Sequence, residues 1–267
     1  MTSILLTLWG CGSEKETDTS TTIIDTATDT DTEITDPCAP VDGATGNRME
    51  GQVIFEDGSS AQGHVRVQMC NEETCYVASW GENGFCYPEG ILRTGFNYSF
   101  DIVTTPTDDT IATPLSFINI TEDNTLIQLA QPVIVPQFTN INTDIQGEMI
   151  FDAGNGLNIT IPESYSETSI SSVSIDPIAL GLPLNTIPAE NIVGAWYFGP
   201  FETHMETPLS FEWNTTLDVG TELIIYNASY NDHEWVQVGT ATVQEGAVAI
   251  TNENSGISIL STMLILQ

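Results

Sequence analysis

The chain has 267 residues, of which 37 are Asp or Glu and only four are Lys or Arg, so its formal net charge at pH 7 is −33. Binding to nucleic acid, or to an anionic lipid surface by charge, needs a basic surface, and this composition excludes both. Strong negative charge also favours a soluble monomer and suits a saline or calcium-containing exterior.

Residues 4–10 form a short apolar run that ends at Cys11. The run is too short to cross a bilayer as a helix, which takes about 20 residues, but it suits the apolar region of a signal peptide. With Leu8 and the small Gly10 ahead of the cysteine, it resembles the lipobox of bacterial lipoproteins. The resemblance implies that residues 1–11 are a lipoprotein signal peptide and that a lipidated Cys11 anchors the protein in the cell envelope. We expect the outer membrane, with the protein facing the periplasm or the exterior; a secretory peptide cleaved elsewhere is the alternative.

Residues 12–37 are rich in Thr, Asp and Glu and have almost no hydrophobic residues. A segment of this composition cannot bury enough apolar surface to offset the entropy lost on folding. We therefore predict a disordered acidic tether between the anchor and the folded part.

Four further cysteines, Cys38, Cys70, Cys75 and Cys86, follow the tether. An even number of cysteines in an exported chain predicts two disulfides. Residues 71–74 look like a hairpin loop that would bring Cys70 and Cys75 face to face and leave Cys38 to pair with Cys86. Pairing Cys38 with Cys70 and Cys75 with Cys86 is the alternative. A four-cysteine zinc site is disfavoured because the chain has no C-x₂-C pair, in which two residues separate the cysteines.

Apolar and polar residues alternate with a period of two through most of the remaining chain. The clearest runs are residues 65–69, 96–102 and 157–161. Turn signals such as Asp57-Gly58 and Asn83-Gly84 separate these runs. This pattern predicts an all-β fold with two antiparallel β-sandwich domains after the tether.

The first predicted domain covers residues 38–105. Its sequence passes from Gly51-Gln52-Val53 through the Asp57-Gly58 turn to Gly95-Phe96 and a late Tyr98-Ser99-Phe100 strand. The order and spacing resemble the carboxypeptidase regulatory-like sandwich of the transthyretin type, to which the cysteines are additions. The resemblance implies a seven-stranded sandwich, and relatives of this type include glycan-binding domains.

Residues 106–139 are predicted to be a connector with one or two strands, and residues 140–267 a second sandwich. The second region contains Ile161-Pro162, Gly199-Pro200 and an apolar run that ends at Tyr226. This succession resembles the spectrin-binding sandwich of ankyrins and netrin receptors. The resemblance implies binding to other proteins, without identifying any contact residue. The apolar run at residues 257–266 is predicted to be a last buried strand, because it is too short to span a membrane as a helix.

No catalytic motif stands out in the sequence. The chain has three histidines and lacks the H-E-x-x-H, G-x-S-x-G, P-loop and dinucleotide-binding patterns. Acidic residues abound, but nothing marks a pair of them for general acid and base work. We therefore expect a protein that is not an enzyme and needs no cofactor, apart from a possible Ca²⁺ ion.

Two groups of residues are candidates for binding. Asn231, Asp232 and Glu234 cluster oxygen ligands that Ca²⁺ prefers, although a solvated polar hairpin tip gives the same pattern. The aromatic side chains of Trp80, Tyr230 and Trp235 are candidates for stacking on sugar rings; burial in the core is the alternative for Trp235.

The function that these features predict is that of a non-catalytic cell-envelope lipoprotein acting as a surface protein-interaction or structural module. Its partner would be an envelope or extracellular protein, and the chain itself would be a monomer. The alternative is a glycan-binding lipoprotein that uses exposed aromatic side chains.

Overall fold

Residues 36–267 are described by a computed structural model, and they consist of β-strands and turns with two 3₁₀ helices of three residues each. The predicted all-β class is confirmed. The predictions for the signal peptide, for Cys11 and for nearly all of the tether fall outside the described residues. Within residues 36–267, no helix has the length and apolar character needed to cross a membrane.

Ten strands form a first set, in which an inner apolar layer lies between two small sheets. These strands are β1 (Asn47–Gly51), β2 (Val53–Phe55), β3 (Val65–Cys70), β4 (Cys75–Val77), β5 (Ser79–Gly81), β6 (Gly84–Leu92), β7 (Asn97–Thr104), β8 (Leu115–Asn119), β9 (Leu126–Gln128) and β10 (Val133–Val135). Sheet 1 has the order β5-β6-β1-β9, sheet 2 has the order β4-β3-β7-β8, and β10 pairs with β2. The predicted alternation in β3 and β7 places Val67, Met69 and Phe100 in the buried layer.

The region predicted to be a connector, residues 106–139, supplies three strands to this first set. β8 pairs with β7, β9 with β1, and β10 with β2. The pairings of β9 and β10 are parallel, whereas the other strand pairs of the first set are antiparallel. Parallel pairing needs a crossover connection, and here the chain crosses from β8 on sheet 2 to β9 on sheet 1.

Twelve strands form a second set. They are β11 (Asn140–Asn142), β12 (Met149–Asp152), β13 (Leu157–Ile161), β14 (Ile170–Ile175), β15 (Ile192–Gly199), β16 (Thr203–Leu209), β17 (Phe211–Asn214), β18 (Glu222–Ser229), β19 (Glu234–Gln244), β20 (Val248–Thr251), β21 (Ile257–Leu260) and β22 (Thr262–Leu266). Sheet 3 contains ten of them in the order β11-β14-β15-β22-β18-β19-β20-β17-β13-β12, while β16 pairs with β21. The 3₁₀ helices Pro177–Ala179 and Ala189–Asn191 lie between β14 and β15.

Sheet 3 curls over on itself. β15 and β17 are separated by four strands in the sheet order, which would place them roughly 24 Å apart on a flat sheet. The rings of Trp196 on β15 and Trp213 on β17 nevertheless meet edge to face, with centroids 5.6 Å apart. The curled sheet therefore encloses a second apolar core, which includes Phe198, Phe211 and Ile265.

The neighbouring strands β15 and β22 of sheet 3 are buried on both faces along most of their length. On β22, Met263 and Ile265 face the enclosed core, while Leu264 and Leu266 belong to the core of the first set. Burial on both faces explains why residues 257–266 read as a continuous apolar run rather than an alternating one. The prediction of a buried last strand is confirmed, and the run divides into β21 and β22.

Sheet 2 packs its outer face against sheet 3. Phe117 of β8 meets Trp235 of β19 edge to face, with ring centroids 5.6 Å apart. The backbone N–H of Leu115 donates a 2.9 Å hydrogen bond to the hydroxyl of Thr262 on β22. These contacts join the two sets of strands, and all of the described residues belong to one contact unit, Thr35–Gln267.

Two disulfides form within the first set, Cys38–Cys86 and Cys70–Cys75, which is the pairing that we preferred from the sequence. Cys38–Cys86 attaches the segment before β1 to β6 and closes a sequence separation of 48 residues. A loop of that length corresponds to about 4 kcal/mol in the chain-entropy description of disulfides. Cys70–Cys75 joins directly opposed residues at the end of the β3–β4 hairpin.

Candidate functional site

The three predicted sugar-stacking residues do not form a common platform. Trp235 is buried under sheet 2, and its indole N–H finds no hydrogen-bond partner. Tyr230 is half-buried, and its hydroxyl lies 3.4 Å from Cys70 Sγ and 3.7 Å from Cys75 Sγ. Trp80 lies apart from both, on β5 at the edge of sheet 1.

Trp80 lines a cavity that leaves room for a ligand. Its half-buried ring packs edge to face on Phe85, with centroids 6.3 Å apart. The cavity has a volume of about 210 Å³, and the polar side chains around it include Gln52, Gln62 and Glu82.

The predicted cation ligands lie at the β18–β19 turn, where all three residues are exposed. The carboxylate of Asp232 accepts a 2.7 Å hydrogen bond from Ser229. Glu202, which no sequence motif marks, accepts hydrogen bonds from the backbone N–H groups of Tyr230 and Asn231 at 3.0 and 3.2 Å. Among residues 36–267, no three His, Cys, Asp or Glu side chains are grouped so that they could hold a metal ion.

One carboxyl group, that of Asp101 on β7, is buried where sheet 2 packs toward sheet 3. Its Oδ2 accepts a 3.0 Å hydrogen bond from Gln68, and its Oδ1 has no partner. Burial raises the pKa of Asp101 to about 7, although the hydrogen bond from Gln68 and the charge of Arg66 oppose the shift.

An apolar groove lies where the two sets of strands meet. We call it the β9 groove; its volume is about 510 Å³, within the range of roughly 300 to 1,000 Å³ typical of ligand sites. Ile118 and Ile120 come from the first set and Leu180 and Leu182 from the second, and all four are buried side chains that line it. Ile178, on the 3₁₀ helix Pro177–Ala179, also lines the groove and is 80 % exposed.

One wall of the β9 groove is a free strand edge. β9 is the last strand of sheet 1, and its residues Ile127 and Gln128 line the groove. On its inner side, Thr125 accepts a hydrogen bond from Arg48 N, and Leu129 N donates one to Glu50. Because bonding alternates along a parallel strand, the backbone groups of Gln128 face away from β1, toward the free edge.

The sequence could not reveal this groove directly. Its lining comes from residues 118–131 and 177–189, which are separated in the chain and brought together only by the packing of the two sets. The one local signal is Ile178, an apolar residue on the 3₁₀ helix Pro177–Ala179 that is exposed.

Comparisons with known proteins identify no relative of this chain. No protein-family model matches the chain, and neither a curated protein nor a solved structure matches it. The resemblances to the carboxypeptidase regulatory-like and spectrin-binding sandwiches therefore stay predictions.

The buried carboxyl of Asp101 predicts a pH dependence of stability. Its pKa is about 7 in the folded protein against an ordinary value of 3.8, so between these values the unfolded chain releases a proton that the folded protein keeps. The contribution of Asp101 to stability therefore falls as pH rises from about 4 to about 7 and then stays level. Asp101→Asn removes this loss, and we expect its stabilising effect to be roughly 3 kcal/mol larger at pH 8 than at pH 4.5.

Urea unfolding of both proteins at several pH values measures this difference. Glu234→Gln changes the formal charge equally at an exposed position and serves as the control. A difference between Asp101→Asn and the parent that does not vary with pH would contradict the assignment.

Proposed function

We propose that this protein is a non-catalytic binding module of the cell envelope, which takes up an extended polypeptide segment of a partner protein in the β9 groove. The observation that carries the proposal is the combination of a free strand edge with an apolar floor in one groove. An added strand would satisfy the outward backbone groups of β9, and its alternate side chains would enter the groove.

The charge of the groove and of the whole chain indicates which kind of partner segment would bind. Glu122 is the charged residue among those that line the groove, no Lys, Arg or His lines it, and the chain carries a net charge of −33. An acidic segment would be repelled by this field, whereas a neutral or basic one would be attracted. The proposed partner is therefore an envelope or extracellular protein with an exposed apolar segment that is neutral or basic.

The envelope location remains part of the proposal. The lipobox-like sequence that ends at Cys11 supports a lipid anchor, and the two disulfides suit an oxidising compartment outside the cytoplasm. The proposed tether between the anchor and the module rests on the acidic composition of residues 12–37.

Peptide selection tests the groove. A library of random displayed dodecapeptides is panned on the full chain carrying Cys11→Ser. We expect the enriched peptides to alternate apolar residues and to carry basic ones. Their affinity should fall at least tenfold for Ile178→Asp, which places a charge at the groove, and for Gln128→Pro, which removes an outward N–H from the strand edge.

Val219→Asp is the matched control, because Val219 is an apolar turn residue that is 62 % exposed and lies outside the groove. It adds the same charge and should leave binding unchanged. Thermal unfolding of each variant separates loss of binding from loss of fold. Equal affinity for Ile178→Asp and Val219→Asp, or the absence of any enriched peptide, would rule out the groove as the binding site.

Glycan binding at Trp80 is a second proposal, supported by the small polar cavity beside its ring. Polar side chains around an aromatic ring suit a sugar, whose apolar face stacks while its hydroxyls form hydrogen bonds. On a glycan array, we expect Trp80→Ala to abolish binding and Trp80→Tyr, which keeps an aromatic ring, to retain part of it. A signal that survives Trp80→Ala, or an array with no signal for the parent chain, would count against this site.

A further inference from the structure

A second cavity, which shares no lining residue with the β9 groove, also lies where the two sets of strands meet. We call it the junction cleft; its volume is about 560 Å³. It is lined by the connection between β7 and β8, by β11 and its flanking residues, by the start of β14, and by the turn between β15 and β16. The lining residues on which the argument depends are Asp108, Asp109, Ile111, Phe138, Ile141 and Phe201.

The surface inside the junction cleft is largely apolar and includes two aromatic rings. Phe138 and Ile111 are half-buried, while Ile141 is 52 % exposed and Phe201 36 % exposed. The ring of Phe138 comes close to the backbone at Gly199, where a Cβ atom would lie 3.0 Å from the ring. A glycine at this position therefore lets the ring form a wall of the cleft.

The junction cleft also carries negative charge without any positive counterpart. The lining includes the carboxylates of Asp108 and Asp109 but no Lys, Arg or His. Asp108 accepts hydrogen bonds from the N–H and the hydroxyl of Thr110, at 2.9 and 2.6 Å, and these bonds lower its pKa. Asp109 lines the same cleft and is exposed.

From this combination we infer that the junction cleft binds a small organic cation, such as a primary amine, that carries an aromatic or branched apolar group. The apolar body would leave water and cover the hydrophobic lining. The ammonium group would pair with the carboxylates and would be attracted to the faces of the aromatic rings. A simple metal ion would make no use of the apolar surface, and an anion would meet two uncompensated carboxylates.

Three probes of similar shape test the inference: 2-phenylethylamine, the neutral 2-phenylethanol and the anionic 3-phenylpropanoate. Each probe is titrated calorimetrically into the full chain carrying Cys11→Ser, at pH 7 and low salt. The affinity should be highest for the amine, lower for the alcohol and lowest for the carboxylate. We expect the amine to bind at least tenfold more tightly than the alcohol. The double substitution Asp108→Asn with Asp109→Asn should reduce the affinity for the amine to that for the alcohol.

Two controls separate the cleft from the general field of an acidic protein. Glu72→Gln with Glu73→Gln, in the loop between Cys70 and Cys75, removes the same charge away from the cleft and should leave amine binding within a factor of two. Ile141→Ser should weaken binding of the amine and of the alcohol alike. Ile150→Ser, at a similarly exposed position of β12 outside the cleft, should weaken neither.

The inference is independent of the β9 groove, so peptide binding there neither supports nor opposes it. Equal loss in the two double-carboxylate variants would show that the amine responds only to net charge. Equal affinity for the amine and the alcohol, or no detectable heat with millimolar amine, would also overturn it.

Discussion

The contact between sheets 2 and 3 is the constraint on which the rest of the structure depends. Phe117 and Trp235 form its aromatic centre, and the hydrogen bond from Leu115 to Thr262 fixes the position of β8 against β22. The core of the first set continues across this contact to Tyr197 and Leu264 on the outer face of sheet 3. Without the contact, these large apolar side chains and the outer face of sheet 2 would be exposed to water.

Polar groups at the edge of the contact reinforce it and give it a defined register. Asn119 and Asn185 exchange two hydrogen bonds, at 3.0 and 2.7 Å, and Thr186 donates one to the backbone carbonyl of Phe117. Directional bonds of this kind specify one arrangement of two apolar faces that could otherwise slide. The same contact is costly at Asp101, whose carboxyl group is removed from water with one oxygen unpaired.

The β9 groove and the junction cleft are both products of this packing. Ile118 and Leu180 come from different sets of strands and meet in the β9 groove, and Ile111 and Ile170 do the same in the junction cleft. Junctions of this kind are where ligand sites most often lie, because two convex bodies that pack together leave concave space at their margins. A change that separated the sheets would therefore alter both sites, even though they share no residue.

The sequence predicted local structure better than it predicted long-range packing. Alternation revealed the strands around Val67 and Ile159, and spacing favoured the Cys70–Cys75 pair, because both signals depend on neighbours in the chain. The parallel pairing of β9 with β1 depends on a crossover that leaves no local pattern. Asp101 occupies an outward position of β7, which reads as solvent-facing until sheet 3 covers it. For the same reason Trp235 was open to two interpretations, and only the packing of β8 resolved its burial.

Hydrogen exchange of the chain and of Phe117→Ala tests the central role of this contact most directly. If the contact joins both sets into one cooperative unit, the most protected amides of β7 and of β22 should exchange with the same free energy. Phe117→Ala should lower both by a similar amount, about 3 kcal/mol for the loss of a buried phenyl ring. Separate free energies for the two strands in the parent chain, or a loss confined to β7 in the variant, would contradict this account.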